Sequence, residues 1–574
     1  MNQTNGERNL EELLKEILRL NHDKPKICDL VNKGILKAQV IKTMEAFEND
    51  SKVFPQGKKI KHWNKENIQD WANTINGTEV TRDPEFLEEM IAVLKRTNIL
   101  HCGNDPRITQ VLAILLFESP KGQGRSLQVS TGEGKSTICA MLASIKALQG
   151  ENVDIITSSS VLAKRDADER KSFYETLGIS CGSNEDSLSR FQFDWLAHEH
   201  KRRNNRWNRG FGVVIVDEVD NMMIDDSGRT ARLTGELAGF EYLNPVFCGV
   251  ANELTRIHKQ ITKIGGKTVY IDGEFNEEGG ELYLGKEAKI HEIKNLYNFI
   301  SKHLIEFTTM IIKERIIELP DFLKDFSLKF VEELVKSAIQ SWSIFHENIE
   351  YLSVKDKNKN SIIAPVDYES TGIVQESETY SDGLHQFLQV KHGFKLTPET
   401  VATSFVSNLR YFKKYGAKIY GMTGTVGSKE EQDLLSSIYK IDFGFIPTYK
   451  AKQFKELEGI VANDKTKWCV EIVSNIIQES EKGRAVLVIC KTIEDVTVIY
   501  EILTKVDQRW KTRLYSRNDN DNDECSAVKE KVDSGDIIIA TNLAGRGTDI
   551  KTSTSVEKNG GLHVIVTFLP SNSR

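Results

Sequence analysis

Several things are scarce in these 574 residues, and each scarcity excludes something. The apolar runs are short: VLAILLF (111–117) falls well below the roughly 18–20 residues needed to span a bilayer. The opening MNQTNGERNLEELLKEIL has no apolar core of the signal-peptide kind. The 8 cysteines are scattered (28, 102, 139, 181, 248, 469, 490, 525) and none forms a C-x-x-C pair. That excludes a zinc knuckle or a disulfide frame and fits reduced thiols in a cytosol-like compartment. Positive charge is not in excess either: 76 basic against 83 acidic side chains gives −7, so no global field draws nucleic acid, although a local basic groove stays open. The 12 histidines include no H-x-x-x-H pair enclosing an acid, which argues against a zinc hydrolase. The remaining composition, 39% apolar and 28% charged, is that of a soluble protein of roughly three to five domains.

Periodicity divides the chain. Residues 1–95 carry Leu, Ile and Phe at helical spacing between charges, as in LEELLKEILRL and EFLEEMIAVLKR. Over 96–232 an apolar helix, a glycine loop, a second helix and the strand-like VDIIT and FGVVIVDEVD follow one another. The unbroken Val/Ile runs predict strands covered on both faces, and their alternation with helices predicts a parallel α/β sheet. Residues 233–367 change character: short Gly-punctuated strand-like pieces (KTVYIDGEF, GELYLG) precede a long helical stretch over about 287–348, the pattern of an inserted α+β unit. The α/β rhythm returns over 368–450 and again over 451–574, in AKIYGMTGT, AVLVICKTIEDVTVIYEIL, DIIIATNLAGRGTDI and GLHVIVTF.

Chemistry is concentrated in QVSTGEGKST (128–137). A glycine turn between strand and helix aims backbone N–H groups at phosphates, where the helix dipole also favours negative charge. Thr131, Gly132, Glu133, Gly134, Lys135, Ser136 and Thr137 form this cradle, with Lys135 reaching the β/γ-phosphates and the Ser136 hydroxyl on Mg²⁺. Val129 stands where the strict spelling has Gly; helicase-type loops accept another small or apolar residue there. VVIVDEVD then ends a strand in adjacent carboxylates, Asp217 for the metal and Glu218 to orient the attacking water. ATP and Mg²⁺ are the expected cofactors, and ATP hydrolysis the expected chemistry.

Further along, STGEGKST, ITSSSVLAKRDADE (156–169), VDEVDNMMIDD (216–226), YSDGLHQFLQVKHG (380–393), YGMTGT (420–425), SSIYKIDFGFIPT (436–448), ATNLAGRGTDI (540–550) and GGLHVI (560–565) occur in the order seen in the SecA family of protein-translocation motor ATPases. Over roughly 95–574 the chain resembles that family; the likeness is weakest over 1–90 and 240–350. It implies two RecA-like parallel-sheet P-loop domains gripping one ATP, an insertion that contacts polypeptide, and a helical N-terminal region. By position it implies that Gln110 of DPRITQ reads adenine and that Thr425 relays the phosphate site to domain movement. It also implies that Arg546 of GRGTDI is an arginine finger, Asp549 touches the ribose or the domain seam, and Gly545 and Gly547 let the backbone approach.

The chain departs from the family's pattern in three places. It stops at LPSNSR, before the glutamine- and arginine-bearing segment that supplies another finger, and the expectation is a C-terminally incomplete second domain. Only a dozen residues separate Gly178 from FQFDWL, and Asp105 stands where the family has Arg before Pro.

Two further patterns are set aside. HEHKRRNNRWNR (198–209) reads as a solvated loop before a buried strand. Asp519, Asp521, Asp523 and Glu530 have calcium-loop spacing, but Glu524 replaces the Gly of that loop's turn. The expected activity is that of a cytoplasmic ATPase, peripheral at a membrane or translocon, acting on an unfolded or preprotein-like polypeptide. A nucleic-acid helicase-type translocase and a nucleotide-gated binding protein without catalysis are the alternatives.

Overall fold

The computed structural model describes residues 7–119, 123–157, 160–182, 188–201, 210–225, 227–228, 230–236, 240–278, 281–355, 359–366, 374–375, 378–398, 400–451, 453–506, 509–515, 531–541 and 550–569. Its first α/β unit contains β1 (Arg125–Gln128), β2 (Val153–Ile156) and β3 (Val213–Asp217), then an inserted segment entered through β4 (Thr230–Glu236) and left through β5 (Thr400–Ser407), then β6 (Ile419–Thr423) and β7 (Asp442–Phe445). The sheet runs β7-β1-β6-β3-β2, every pair parallel. Along β3, Val213 and Ile215 belong to the core on one face, and Val214 and Val216 to the core on the other. The unbroken apolar run therefore follows from period-two alternation with both faces covered.

The N-terminal helices do not form a separate body. Asn9 and Glu12 make a reciprocal capping box that starts the helix Leu10–Leu20. Its Leu13 and Ile17 share one core with Trp63, Trp71, Met90, Ile138 and Met141. The helix Leu87–Cys102 runs straight through the expected boundary at 95/96, since both of its ends pack on the same core. Asn21 closes the sheet edge: its amide donates to Phe445 O and accepts from Phe445 N, both at 2.9 Å. A single side chain thus does what a neighbouring strand would do for β7.

β4 and β5 pair antiparallel, from Thr230↔Ser407 to Glu236↔Thr400, and form a stem. Beyond it lie the helix Asn244–Lys259, a small antiparallel sheet (Ile261–Ile264, Lys267–Asp272, Lys289–Glu292), a hairpin (Phe275–Glu278 with Glu281–Leu284) and the helices Leu296–Lys313 and Asp321–Ser343. Val250, Leu304 and Val335 are central to its core, and Phe387 of the helix Leu384–Lys391 is buried there too. The boundary expected at 367 therefore falls inside this unit, because the YSDGLHQ helix serves its core and not that of the first sheet.

The second α/β unit holds β8 (Val486–Cys490), β9 (Thr512–Tyr515), β10 (Ile537–Thr541) and β11 (His563–Val566), in the parallel order β9-β10-β8-β11. All residues of β8 and β10 are buried. Ile493 at the start of its helix Ile493–Val506 packs with Leu352 and Val366 of the insertion.

Candidate nucleotide site

The phosphate loop joins β1 to the helix Lys135–Leu148 at the carboxyl ends of the strands, where open α/β sheets bind ligands. Val129 is buried, and its N–H donates to Thr423 O at 2.9 Å. An apolar side chain here fills the core beneath the loop, which explains why Gly is not needed. Gly134 caps the helix with φ 79°, a left-handed conformation that favours glycine, and a Cβ there would lie 2.3 Å from Gln110 Nε2 and have to displace that amide.

Burial holds the charged groups together. Lys135 Nζ lies 2.5 Å from Glu218 Oε1, with side-chain exposures of 12% and 8%. Glu218 has φ 65°, a left-handed conformation that costs a non-glycine residue of the order of 1–3 kcal/mol. At this turn its N–H bonds Met422 O at 2.9 Å. Burial alone would lower the Lys135 pKa, but Glu218, Asp217 and Asp220 more than offset it and the net shift is upward. Asp217 is pushed up to about 7, chiefly by burial; Lys135 opposes the rise, while Glu218 and Asp166 add to it. Asp217 Oδ1 is buried with no hydrogen-bond partner among the described residues.

The orphaned oxygen fits the donor set of a divalent cation. The Ser136 hydroxyl and the Asp217 carboxylate are hard oxygen donors of the kind Mg²⁺ takes. Among the described residues no group of three or more His, Cys, Asp or Glu could hold a metal by itself. Such a site suits a cation that completes its shell with phosphate oxygens and water.

Three residues make contacts that no sequence motif announced. Asp220 Oδ1 accepts from Thr423 Oγ1 at 2.7 Å, and its Oδ2 from Thr425 Oγ1 at 2.9 Å. The residue was visible as the last acid of DEVD, but nothing local tied it to GMTGT, some 200 positions away. Arg170 Nη2 donates to Thr137 Oγ1 at 2.8 Å and Nη1 to Asn98 Oδ1 at 2.7 Å. Asp166 Oδ2 accepts from Ser136 Oγ at 3.3 Å. The expected relay residue Thr425 is thus tied to the strand end that bears Asp217 and Glu218. A Cβ on Gly424 would approach Thr131 Oγ1 to 3.2 Å, so the same motif also lies against the loop.

Gln110 and Glu133 are held by the protein itself. The Gln110 amide accepts from Arg107 N at 2.9 Å and donates to Glu133 O at 2.9 Å. Glu133 Oε2 accepts from Tyr449 N at 3.0 Å, with Arg107 Nη1 at 3.7 Å. Asp105 pairs with Lys95 Nζ at 3.0 Å. Gly545, Arg546, Gly547 and Asp549 lie outside the described residues, as do the calcium-spaced acids and all but the first four residues of the basic run.

A glycine-turned loop at a helix start, a lysine on the strand-end acid pair and a parallel sheet beneath them define the class: a P-loop α/β protein with a helicase-like phosphate site. The family is narrower. A SecA DEAD-like domain matches residues 33–194 and 187–435, and a SecA P-loop domain matches 454–567; the chain belongs to the SecA family. It is 27% identical over 497 residues to the protein translocase subunit SecA of Treponema denticola, covering 82% of this chain and 50% of that protein. The same-named protein of Aliarcobacter butzleri is 30% identical over 475 residues (78% and 50%), and that of Campylobacter curvus 28% over 482 (78% and 50%). The chain spans about half the length of the curated relatives it matches.

Proposed function

We propose that the chain binds MgATP at the phosphate loop, hydrolyses it, and couples the cycle to movement of a polypeptide, as the relatives' name of protein translocase subunit suggests. The observation that carries this reading is the buried Lys135–Glu218 contact beside the unpartnered Asp217 Oδ1. Lys135 satisfies the acid that would orient water, and a bound γ-phosphate would take over that lysine. Thr131, Gly132, Glu133, Gly134 and Thr137 belong to the loop around the phosphates, while Ser136 and Asp217 would hold Mg²⁺. The cation would neutralise developing phosphate charge. Gln110 would read adenine, and its present bonds to Arg107 and Glu133 would let base recognition bear on the loop. Gly545, Arg546 and Asp549 would complete the site from the second unit.

The polypeptide client would meet the inserted unit, whose Tyr283, Ile290, Leu296 and Tyr297 are exposed apolar side chains. Among the described residues no helix is long and apolar enough to cross a membrane; a cytoplasmic protein with peripheral membrane or translocon contact is the proposed setting. The test is phosphate release measured alone, with an unfolded polypeptide, and with RNA. Stimulation by polypeptide only is expected. Stimulation by RNA only would replace this reading with the helicase-type one.

A further inference from the structure

Ser136 has one hydroxyl proton and two lone pairs. To bind a cation through oxygen, that proton must point away from the metal toward an acceptor. The helix Ser160–Thr176 supplies one: Asp166 Oδ2 lies 3.3 Å from Ser136 Oγ. Its other oxygen, Oδ1, accepts from Arg165 Nε at 3.1 Å and Nη2 at 2.8 Å, which leaves Oδ2 for the serine. Arg170, four residues on along the same helix, spends its guanidinium on Thr137 and Asn98 and does not compete. Asp166 is only 25% exposed. With Ser136 and Asp217 it lines one cavity of about 320 Å³, walled elsewhere by Cys139, Tyr174 and Phe191. A carboxylate that served only a surface ion pair would face solvent, not a wall shared with the unpartnered Asp217 oxygen.

We propose that Asp166 is a positioning residue for the divalent cation: it takes the Ser136 proton into a hydrogen bond and so presents the serine lone pairs to the metal beside Asp217. This is an outer-sphere carboxylate acting on an inner-sphere hydroxyl, a kind of contact whose loss costs about 10–100-fold in metal affinity. The inference rests on the metal-site reading of Ser136 and Asp217.

The experiment measures affinity of the full chain for a fluorescent ADP analogue, first in EDTA and then across a MgCl₂ titration. Asp166→Ala is expected to raise the Mg²⁺ concentration at half-saturation about tenfold while the EDTA affinity stays within about twofold of the unaltered chain. Asp166→Asn, which keeps an acceptor oxygen, is expected to shift it less. An equal loss with and without Mg²⁺ would mean that Asp166 merely packs two helices together, and would overturn the proposal. So would an unchanged Mg²⁺ midpoint, or an Asn variant as impaired as the Ala variant. Asp217→Asn separates the two levels: if it too leaves the Mg²⁺ response intact, the metal site itself is wrong. If Asp217→Asn removes that response and the Asp166 variants do not, only the role of Asp166 fails. Circular dichroism identifies an unfolded variant, and Asp166→Asn then carries the test alone.

Discussion

The nucleotide site of the first α/β unit and His385 of the inserted unit both bury ionisable groups, and they resolve the cost in opposite ways. In the nucleotide site Lys135 meets Glu218, and Asp220 receives two threonine hydroxyls, so these buried groups are paired. In the insertion His385 is 4% exposed, its Nδ1 has no hydrogen-bond partner among the described residues, and burial drives its pKa from 6.5 down to about 4. That charge is given up. What separates the two sites is the partner: a buried ion without one costs far more than a neutral ring. Paired buried charge occurs elsewhere among the described residues too, as in Lys146–Glu118 and Arg513–Asp536, but Lys135–Glu218 lies where phosphate and metal are proposed to bind.

The sharpest way to break the comparison is Lys135→Ala. It removes the proposed phosphate contact and leaves Glu218 buried and unpaired. Affinity for MgATP should fall about a thousandfold, equivalent to ~4 kcal/mol, as read by equilibrium titration; undiminished binding would refute the phosphate cradle. Glu218→Gln comes next. Nucleotide should still bind, while single-turnover phosphate release slows by about a hundredfold or more; an unchanged rate would favour the nucleotide-gated binding protein.

The buried histidine predicts a pH effect of opposite origin. Above its unfolded pKa near 6.5, His385 is neutral in both states and costs nothing. As pH falls toward about 4 the unfolded chain takes up a proton that the folded chain resists, so stability is lost across that window by up to about 3 kcal/mol. Urea unfolding at pH 7 and pH 4.5 should show a loss that His385→Gln reduces. Equal pH slopes for both proteins would place the titration elsewhere. The smallest effect is expected on the insertion surface. Tyr297→Ser, at a side chain 50% exposed, should change stability by less than about 0.5 kcal/mol and leave MgATP affinity unaltered. A loss of nucleotide binding would show that the two units are not as separable as their contrasting chemistry implies.

The legible parts of the chain were those in which function and fold constrain neighbouring residues. Lys135, Ser136, Asp217 and Glu218 stand in two short strings because a phosphate loop and a strand-end acid pair are each local constructions. The parallel strands were legible because both faces of β3 are buried and its first four positions, Val213 to Val216, are all apolar. The boundaries at 95 and 367 were not, since helix periodicity shows that a face is buried but not against which sheet. Asp220 and Asp166 were equally hidden: each is one acid among many until the fold brings Thr425 or Ser136 to it.

The sequence by itself determined the family, the phosphate loop and the acid pair, because spacing along the chain is enough to specify them. Tertiary structure alone decided which long-range partners each group meets. It closed the edge of β7 with Asn21 and joined Asp220 to the GMTGT turn. It also set Asp166 against Ser136 and left His385 neutral. The physical reason is desolvation: whether an ionisable group stays charged depends on what surrounds it in three dimensions, and no window of neighbouring residues contains that information.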